Sequence, residues 1–234
     1  MKPELFCLDL FCGAGMASLG YHRAGFTVVG RDILPMKRYP FEFDQGDALA
    51  LTPDYLRQFD LVHASPPCQG YSTMRSAPGA RNDHPKLIAP TRELLRAAGV
   101  LYVIENVEGA KSEMVDPITL CGSHFGLGFQ KWQLQRHRLF ETNFPVAQPI
   151  CRHHSPTVGV YGGHVRCRAQ DYWREGGADF PGYDKMAIAR QAMGVDGDDW
   201  HPTMGEISEA IPPVFAEFIG LHARIHLATT RTRG

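Results

Sequence analysis

Short apolar runs alternate with amphipathic segments through the first 107 residues of the chain. Five of these runs end at turn signals or short polar segments and predict buried strands; they span residues 4–11, 27–32, 41–47, 60–66 and 101–107. Helical patterns lie between them, over residues 16–26, 53–59 and 91–100. Strands that alternate with short helices predict an α/β fold with a doubly wound, mainly parallel sheet.

The pattern changes after about residue 145, where glycine, proline, histidine and arginine become frequent and helical periodicity is weak. We expect a small irregular or β-rich insertion over residues 145–189, carried by a larger domain of residues 1–144 plus 190–234. A helical pattern resumes at residues 186–195, and a second covers residues 206–226. Pro212 and Pro213 predict that this last pattern forms two helical segments.

Net charge, apolar runs and cysteine spacing exclude several classes of protein. The net charge of −1 excludes a global basic field, so nucleic-acid binding requires a local patch. The start of the chain is too short and too acidic for a signal peptide, and we find no apolar run of membrane-spanning length. The six cysteines form no CxxC pair, which is typical of a reduced protein. We therefore expect a cytoplasmic protein without membrane association.

Glycines and acids follow the first three predicted strands, where α/β sheets bind ligands. The Gly13–Gly15 turn lets a ligand approach the backbone, although Ser18 replaces the third glycine of GxGxxG and a plain turn explains the pattern as well. Asp32 stands where an acid can bind ribose hydroxyls. Asp47 could accept a hydrogen bond from an adenine amine. Helix capping is the alternative for both acids.

Two further residues with potentially reactive side chains lie at the ends of the next two predicted strands. Cys68 comes after Pro66 and Pro67, which hold the chain extended, and it is either a nucleophile or an inert small hydrophobe. Glu105 ends an apolar strand, where its pKa could be raised enough for proton donation, or where it could form a salt bridge.

Arg136 and Arg138 alternate within residues 133–140, which predicts a strand with both guanidiniums on one face. Such a face suits anions, phosphates or a base edge, and a solvated strand face is the alternative. Zinc could bind in the insertion, through Cys151, His153, His154 and Cys167, but their spacing fits no standard finger. We therefore predict no metal site.

The order of these motifs resembles the C5-cytosine-specific DNA methyltransferase family, as a small member with a reduced target-recognition region. The resemblance is carried by DLFCGAGMASLGYHRAGF, SPPCQGYS, IENV, LCGSHFGL and QRHRLFET, and it resumes in RQAMGV and EISEAIPPVFAEFIG. It covers about four fifths of the chain. It implies a Rossmann-like, S-adenosylmethionine-dependent methyltransferase fold in which residues 145–189 recognise the target.

The resemblance also implies a reaction. Cys68 would add to C6 of a flipped-out cytosine, Glu105 would contact N3, and Arg138 or Arg136 would bind the base oxygen, so that C5 accepts a methyl group from S-adenosylmethionine. The cofactor-binding residues would be Phe11, Gly13, Ala14, Gly15, Asp32, Ile33, Asp47, Pro66 and Glu209. The substrate-binding residues would be Pro67, Gln69, Ser72, Asn106, Arg152, Arg166 and Arg168.

Two departures from the family pattern leave alternatives open. Leu134 stands where a glutamine is usual, and Glu209 replaces an asparagine close to the methionine end of the cofactor. In one interpretation, Glu209 faces solvent or the ammonium group of the cofactor. In the other, it changes the affinity for the cofactor, or it selects a different S-adenosylmethionine-type cofactor. The small insertion also leaves room for an RNA substrate. We expect double-stranded DNA as the partner of a monomer, with a cognate restriction endonuclease as a further candidate partner.

Overall fold

The computed structural model describes residues 4–71, 84–154, 156–168, 180, 182–197 and 200–231, and for Cys167 and Arg168 it describes the backbone alone. A seven-stranded sheet organises the larger part of the molecule in the order β3-β2-β1-β4-β5-β9-β6. Its strands are β1 (Phe6–Leu10), β2 (Thr27–Asp32), β3 (Glu42–Gln45), β4 (Leu61–Ala64), β5 (Leu101–Asn106), β6 (Ile118–Leu120) and β9 (Arg138–Thr142).

The five predicted strands form the parallel part of this sheet. β1 pairs in parallel with β2 and β4, β2 with β3, and β4 with β5. β9 then pairs antiparallel with both β5 and β6, so the sheet is mixed at this end. The predicted doubly wound, mainly parallel α/β fold is thereby confirmed.

Side chains alternate between two apolar layers, one on each face of the sheet. On β1, Cys7 packs with α1 (Met16–Arg23) and α6 (Pro213–Arg231), and its neighbour Leu8 packs with α2 (Pro53–Leu56) and α3 (Ile88–Ala98). Gly20 permits the close approach of α1 to α6, because a Cβ there would lie 2.1 Å from the Pro213 carbonyl oxygen. This three-layer arrangement leaves the carboxyl ends of the parallel strands for a site.

A second, four-stranded sheet has the order β11-β10-β8-β7. It comprises β7 (Gly128–Phe129), β8 (Trp132–Leu134), β10 (Thr157–Tyr161) and β11 (His164–Arg168). Its apolar side chains pack on α4 (Lys185–Met193) and α5 (Met204–Glu209). The insertion is therefore β-rich in its described part, and β7 and β8 join it from before residue 145. The domain bounds at 145 and 189 stay predictions.

The expectation of one strand over residues 133–140 is wrong. β8 ends at Leu134 in the small sheet, and β9 begins at Arg138 in the large sheet. The chain changes sheets at residues 135–137, where Arg136 turns away to bind backbone carbonyls of other elements. The predicted division of the carboxyl-terminal pattern at Pro212 and Pro213 is confirmed, because α5 ends at Glu209 and α6 begins at Pro213. No helix in the described ranges has the length and apolarity needed to cross a membrane.

Candidate active site

A strained turn joins β1 to α1. Phe11, Gly13 and Gly15 all have positive φ angles, of 58°, 51° and 91°, and Gly15 caps the amino terminus of α1. A Cβ built on Gly13 meets nothing within 4 Å, so open space faces the backbone there. The Gly13 N–H donates to Asp32 Oδ2 over 3.1 Å. A ligand could therefore approach the backbone of this turn closely, next to the Asp32 carboxylate.

The two acids predicted to bind cofactor lie at the same edge of the sheet. Asp32, at the end of β2, also accepts from the Leu34 N–H through Oδ1, at 3.0 Å. Ile33 beside it is 65% exposed, an apolar surface on which a flat ring could rest. Asp47 is exposed and caps a short 3₁₀ turn by accepting from the Leu49 N–H. The capping alternative is thus observed for Asp47, whose position still fits a ligand role.

Cys68 begins a 3₁₀ turn that is separated from the end of β4 by three residues. Buried Pro66 precedes it, and the Asn106 side-chain amide donates to the Pro66 carbonyl over 2.9 Å, so Asn106 anchors the thiol-bearing loop. Cys68 itself is half-buried. Burial and the charge of Glu105 raise the pKa of the Cys68 thiol, whereas Arg138 lowers it. The thiol therefore keeps its proton until its surroundings change.

Glu105 forms the buried acid of the site. Its carboxylate Oε1 lies 3.3 Å from Arg138 Nε, and their side chains are 9% and 18% exposed. Burial raises the pKa of Glu105, and Arg138 and a hydrogen bond from Ser65 lower it. A carboxyl group whose pKa is raised by burial holds its proton more readily than an exposed one, which suits it to donate a proton.

A hydrogen-bonded chain behind Glu105 was not anticipated from the sequence. Ser65 contacts His63 Nε2 at 2.9 Å, and His63 Nδ1 contacts the Tyr21 hydroxyl at 2.8 Å. Burial lowers the pKa of His63 to about 3, so its imidazole is neutral. The chain fixes the Ser65 hydroxyl that supports Glu105. Polar residues within the apolar run of β4 were the available signal.

The predicted common face of Arg136 and Arg138 is a second expectation that the structure corrects. Arg138 pairs with Glu105, but Arg136 donates to the carbonyl oxygens of Val160, Ser208 and Ala210. Arg136 is 7% exposed and its Nε has no hydrogen-bond partner. Its guanidinium joins β10 to the end of α5, because a buried cation requires polar partners wherever the fold supplies them.

Asp9 is a buried acid that the sequence reasoning passed over. It is 1% exposed on β1, and its Oδ2 accepts from the Ser18 hydroxyl, which also contacts the Tyr39 hydroxyl at 2.6 Å. Burial raises the pKa of Asp9 to about 7, against the opposing hydrogen bond from Ser18. The acid in the apolar run CLDL was a visible signal. Ser18, in place of a third glycine, is its partner.

The other predicted site residues lie in less constrained positions. Pro67 and Gln69 are exposed beside Cys68, and exposed Glu209 ends α5, where its charge raises the pKa of Cys68. Ser72 and the Arg168 side chain fall outside the described residues. The remaining two predicted substrate contacts are exposed in the insertion, where Arg152 offers its carbonyl to Gln133 and Arg166 lies over the Tyr161 ring.

A glycine turn, two acids, a thiol and a buried Glu–Arg pair thus meet at the carboxyl ends of a doubly wound sheet, which defines a Rossmann-like fold with a candidate active site. Residues 5–116, just under half of the chain, match the family model of C-5 cytosine-specific DNA methylase. The resemblance seen in the sequence motifs is confirmed.

One curated relative is a methyltransferase. The Type II methyltransferase M.AplI of Arthrospira platensis is 28% identical over 114 residues, which are 47% of this chain and 33% of the relative. The chain therefore aligns with about a third of that relative's length.

Two solved structures share the fold. One is described as a DNA modification methyltransferase encoded within a prophage of E. coli, with a TM-score of 0.59, 15% identity and coverage of 97% of this chain and 100% of the other. The other is the Entamoeba histolytica methyltransferase EhMeth, with a TM-score of 0.58, 12% identity and coverage of 97% and 99%.

Proposed function

We propose that this protein is a DNA (cytosine-5) methyltransferase that acts on a flipped-out cytosine through a covalent bond from Cys68 Sγ to C6. The proposal rests on one observation: Cys68, buried Glu105 and Arg138 interact electrostatically at the same end of the sheet as the glycine turn. The match of residues 5–116 to the C-5 cytosine-specific DNA methylase model supports it. C5 of cytosine is a poor nucleophile, and addition of a thiolate at C6 makes it enamine-like.

Cytosine binding and activation of Cys68 are coupled in this proposal. The negative charge of Glu105 raises the pKa of Cys68, and the positive charge of Arg138 lowers it. When Glu105 takes up a proton from solvent and donates it in a hydrogen bond to N3 of the base, the negative charge that raises the pKa of the thiol is removed and the effect of Arg138 prevails. The thiol then releases its proton to solvent, and the thiolate forms where C6 is placed. Elimination of Cys68 after loss of the C5 proton restores the enzyme.

S-adenosylmethionine is the methyl donor that we propose, and it supplies an electrophilic methyl group on sulfur. The Gly13 turn fits such a group because open space faces its backbone, and Asp32 and the exposed Ile33 lie beside that turn. Asp32 would bind the ribose, Ile33 and Asp47 would contact the adenine, and Glu209 would lie towards the methionine end.

The insertion would present the DNA to this site. Arg166 stacks on Tyr161 in the small sheet, 5.3 Å from the ring centroid, and Arg152 is exposed near the same sheet. Few side chains are available there, so we propose a short target sequence. The monomeric state and a cognate restriction endonuclease remain predictions.

Transfer of tritiated methyl groups to DNA and to RNA tests the reaction. We expect label in DNA, and Cys68→Ala should reduce it by more than about 10³-fold because the covalent step is lost. Label in RNA alone would support the RNA alternative, and activity retained in Cys68→Ala would refute the covalent step. Mass spectrometry of the modified base tests Glu209, since a simple methyl adduct formed from S-adenosylmethionine excludes an altered cofactor.

A glycine pair tests the cofactor position. Gly13→Ala and Gly99→Ala both place a methyl group at positive φ and in open space, and Gly99 caps α3 away from the turn. Each should cost about 1–2 kcal/mol of stability, but we expect only Gly13→Ala to weaken binding of S-adenosylmethionine in calorimetric titration. Equal affinities in the two variants would argue against the turn as the cofactor site.

A further inference from the structure

Four side chains with metal-binding atoms converge outside the proposed active site. Cys121 directly follows β6, His137 lies between β8 and β9, and Cys151 and His153 come from the segment that leads into β10. One ligand atom from each lies within 4.8 Å of all the others. Cys121 is buried and His153 is exposed, so the group extends from the protein interior to solvent.

The separations within the group fit one tetrahedral ion. Cys121 Sγ lies 3.4 Å from His153 Nε2, and Cys151 Sγ lies 3.5 Å from His137 Nε2. A tetrahedral Zn²⁺ with its usual bonds to sulfur and nitrogen separates these two atom types by about 3.6 Å. Two sulfurs and two imidazole nitrogens also form the donor set that zinc prefers in closed structural sites.

The surroundings orient the ligands. His137 directs Nε2 to the group, and its Nδ1 lies 3.6 Å from Glu108 Oε1, an arrangement in which a carboxylate fixes the metal-binding tautomer. His124 Nδ1 accepts from the Cys121 backbone N–H, so the neutral ring carries its proton on Nε2, 3.1 Å from Cys151 Sγ. His124 is therefore placed to donate to the sulfur of Cys151.

We propose that Cys121, His137, Cys151 and His153 form a structural zinc site. Binding replaces the thiol protons of the two cysteines by bonds to Zn²⁺, and the protons pass to the solvent. The site shares Cys151 and His153 with the set that the sequence suggested. Cys121 and His137, remote along the chain, replace His154 and Cys167 in that set, which explains why no standard spacing was visible.

The site would hold the insertion to the catalytic sheet. Cys121 extends β6 at the sheet edge, whereas Cys151 and His153 lie at the entrance to the small sheet. His137 immediately precedes Arg138, the partner of Glu105. A zinc ion would therefore fix the β8–β9 connection that carries the active-site arginine, without contacting the reacting atoms.

Metal analysis of the full chain, purified without chelator and then exposed to ZnCl₂, tests the proposal. We expect about one zinc per chain in the wild type and in His154→Ala, whose histidine lies outside the group. Cys151→Ser and His153→Ala, at the outer end of the group, should lower zinc content at least about tenfold. Removal of zinc should lower the Tm by about 5 °C or more, and ZnCl₂ should restore it.

Cobalt substitution identifies the ligands directly. Co²⁺ in the wild type should show the visible absorption of a tetrahedral site with thiolate ligands, and Cys151→Ser should change it. Zinc below about 0.1 per chain after exposure to ZnCl₂ would overturn the proposal, as would unchanged zinc content in Cys151→Ser and His153→Ala. A mass lower by two hydrogens that disappears on reduction would show that a Cys121–Cys151 disulfide forms there instead.

Discussion

Asp9→Asn tests the electrostatics beneath the glycine turn. The substitution keeps the size of the side chain and its ability to accept from Ser18, but it removes a buried charge that has no cationic hydrogen-bond partner among the described residues. Asp9 Oδ1 has no hydrogen-bond partner, so ionisation of this group is poorly compensated. The native state should therefore bind a proton at Asp9 that the unfolded chain has already released.

The size and sign of the effect follow from the pKa of Asp9, which rises from 3.8 to about 7 on folding. Above pH 3.8 the native state binds more protons than the unfolded state, so stability falls as the pH rises, until about pH 7. At 1.36 kcal/mol per unit, the full loss is about 4 kcal/mol. Between pH 5 and pH 8 the loss of stability is about 3 kcal/mol.

His63 acts in the opposite direction. Its pKa falls from 6.5 to about 3 on folding, so the unfolded chain binds the extra proton and stability rises with pH across that range. Below about pH 6.5 the two slopes oppose each other, and this pair alone would leave the wild type nearly independent of pH. Comparison of the two proteins isolates Asp9, because the slope of His63 is common to both.

Urea denaturation followed by circular dichroism at pH 5, 6, 7 and 8 measures the difference. We expect Asp9→Asn to gain stability relative to the wild type by about 3 kcal/mol between pH 5 and pH 8. A difference that stays constant within about 0.5 kcal/mol would refute the reasoning, since Asp9 would then titrate at its ordinary pKa. A difference of the opposite sign would mean that an unidentified cation stabilises the carboxylate.

Two further predictions concern other buried acids. Glu141 is 1% exposed and receives two hydrogen bonds from Arg92, at 2.6 and 2.7 Å. Arg92→Met leaves this buried carboxylate without its cation, so it should destabilise the fold by about 3–5 kcal/mol, as measured by urea denaturation. A loss of stability below about 1 kcal/mol would contradict this prediction. Ser65→Ala removes a hydrogen bond that lowers the pKa of Glu105, so the alkaline limb of the pH–rate profile, where Glu105 loses the proton it donates, should move to higher pH. An unmoved profile would exclude Ser65 as a positioning residue.

The parallel part of the sheet was predictable because each strand is a short apolar run that ends at a turn signal. Both faces of such strands are buried, so the pattern is strong over β1, β2, β4 and β5. β7 and β8 contain two and three residues, too few to show a period. The sequence therefore indicated an insertion without showing that the small sheet begins before it.

The candidate site was predictable in its members but not in its contacts. Cys68 and Glu105 follow adjacent strands, and parallel strand order brings their carboxyl ends together. Arg136 and Arg138 point to different parts of the molecule because Arg136 donates to the carbonyl oxygens of Val160, Ser208 and Ala210. These acceptors are distant from Arg136 along the chain. No local pattern encodes such long-range contacts, and the same limit applies to the cluster of Cys121 with His137.

Three consecutive residues lie where the chain passes from the small sheet into β9, and their side chains contact different parts of the molecule. Arg136 binds carbonyls of β10 and α5, His137 lies in the cysteine–histidine group, and Arg138 pairs with Glu105. Because the backbone has only two soft dihedrals per residue, a displacement of the backbone at one of these residues is passed on to its neighbours. Binding at the insertion therefore has a short covalent route to the Glu105–Arg138 pair. The contacts of Arg136 and Arg138 establish this route whether or not zinc occupies the group around His137.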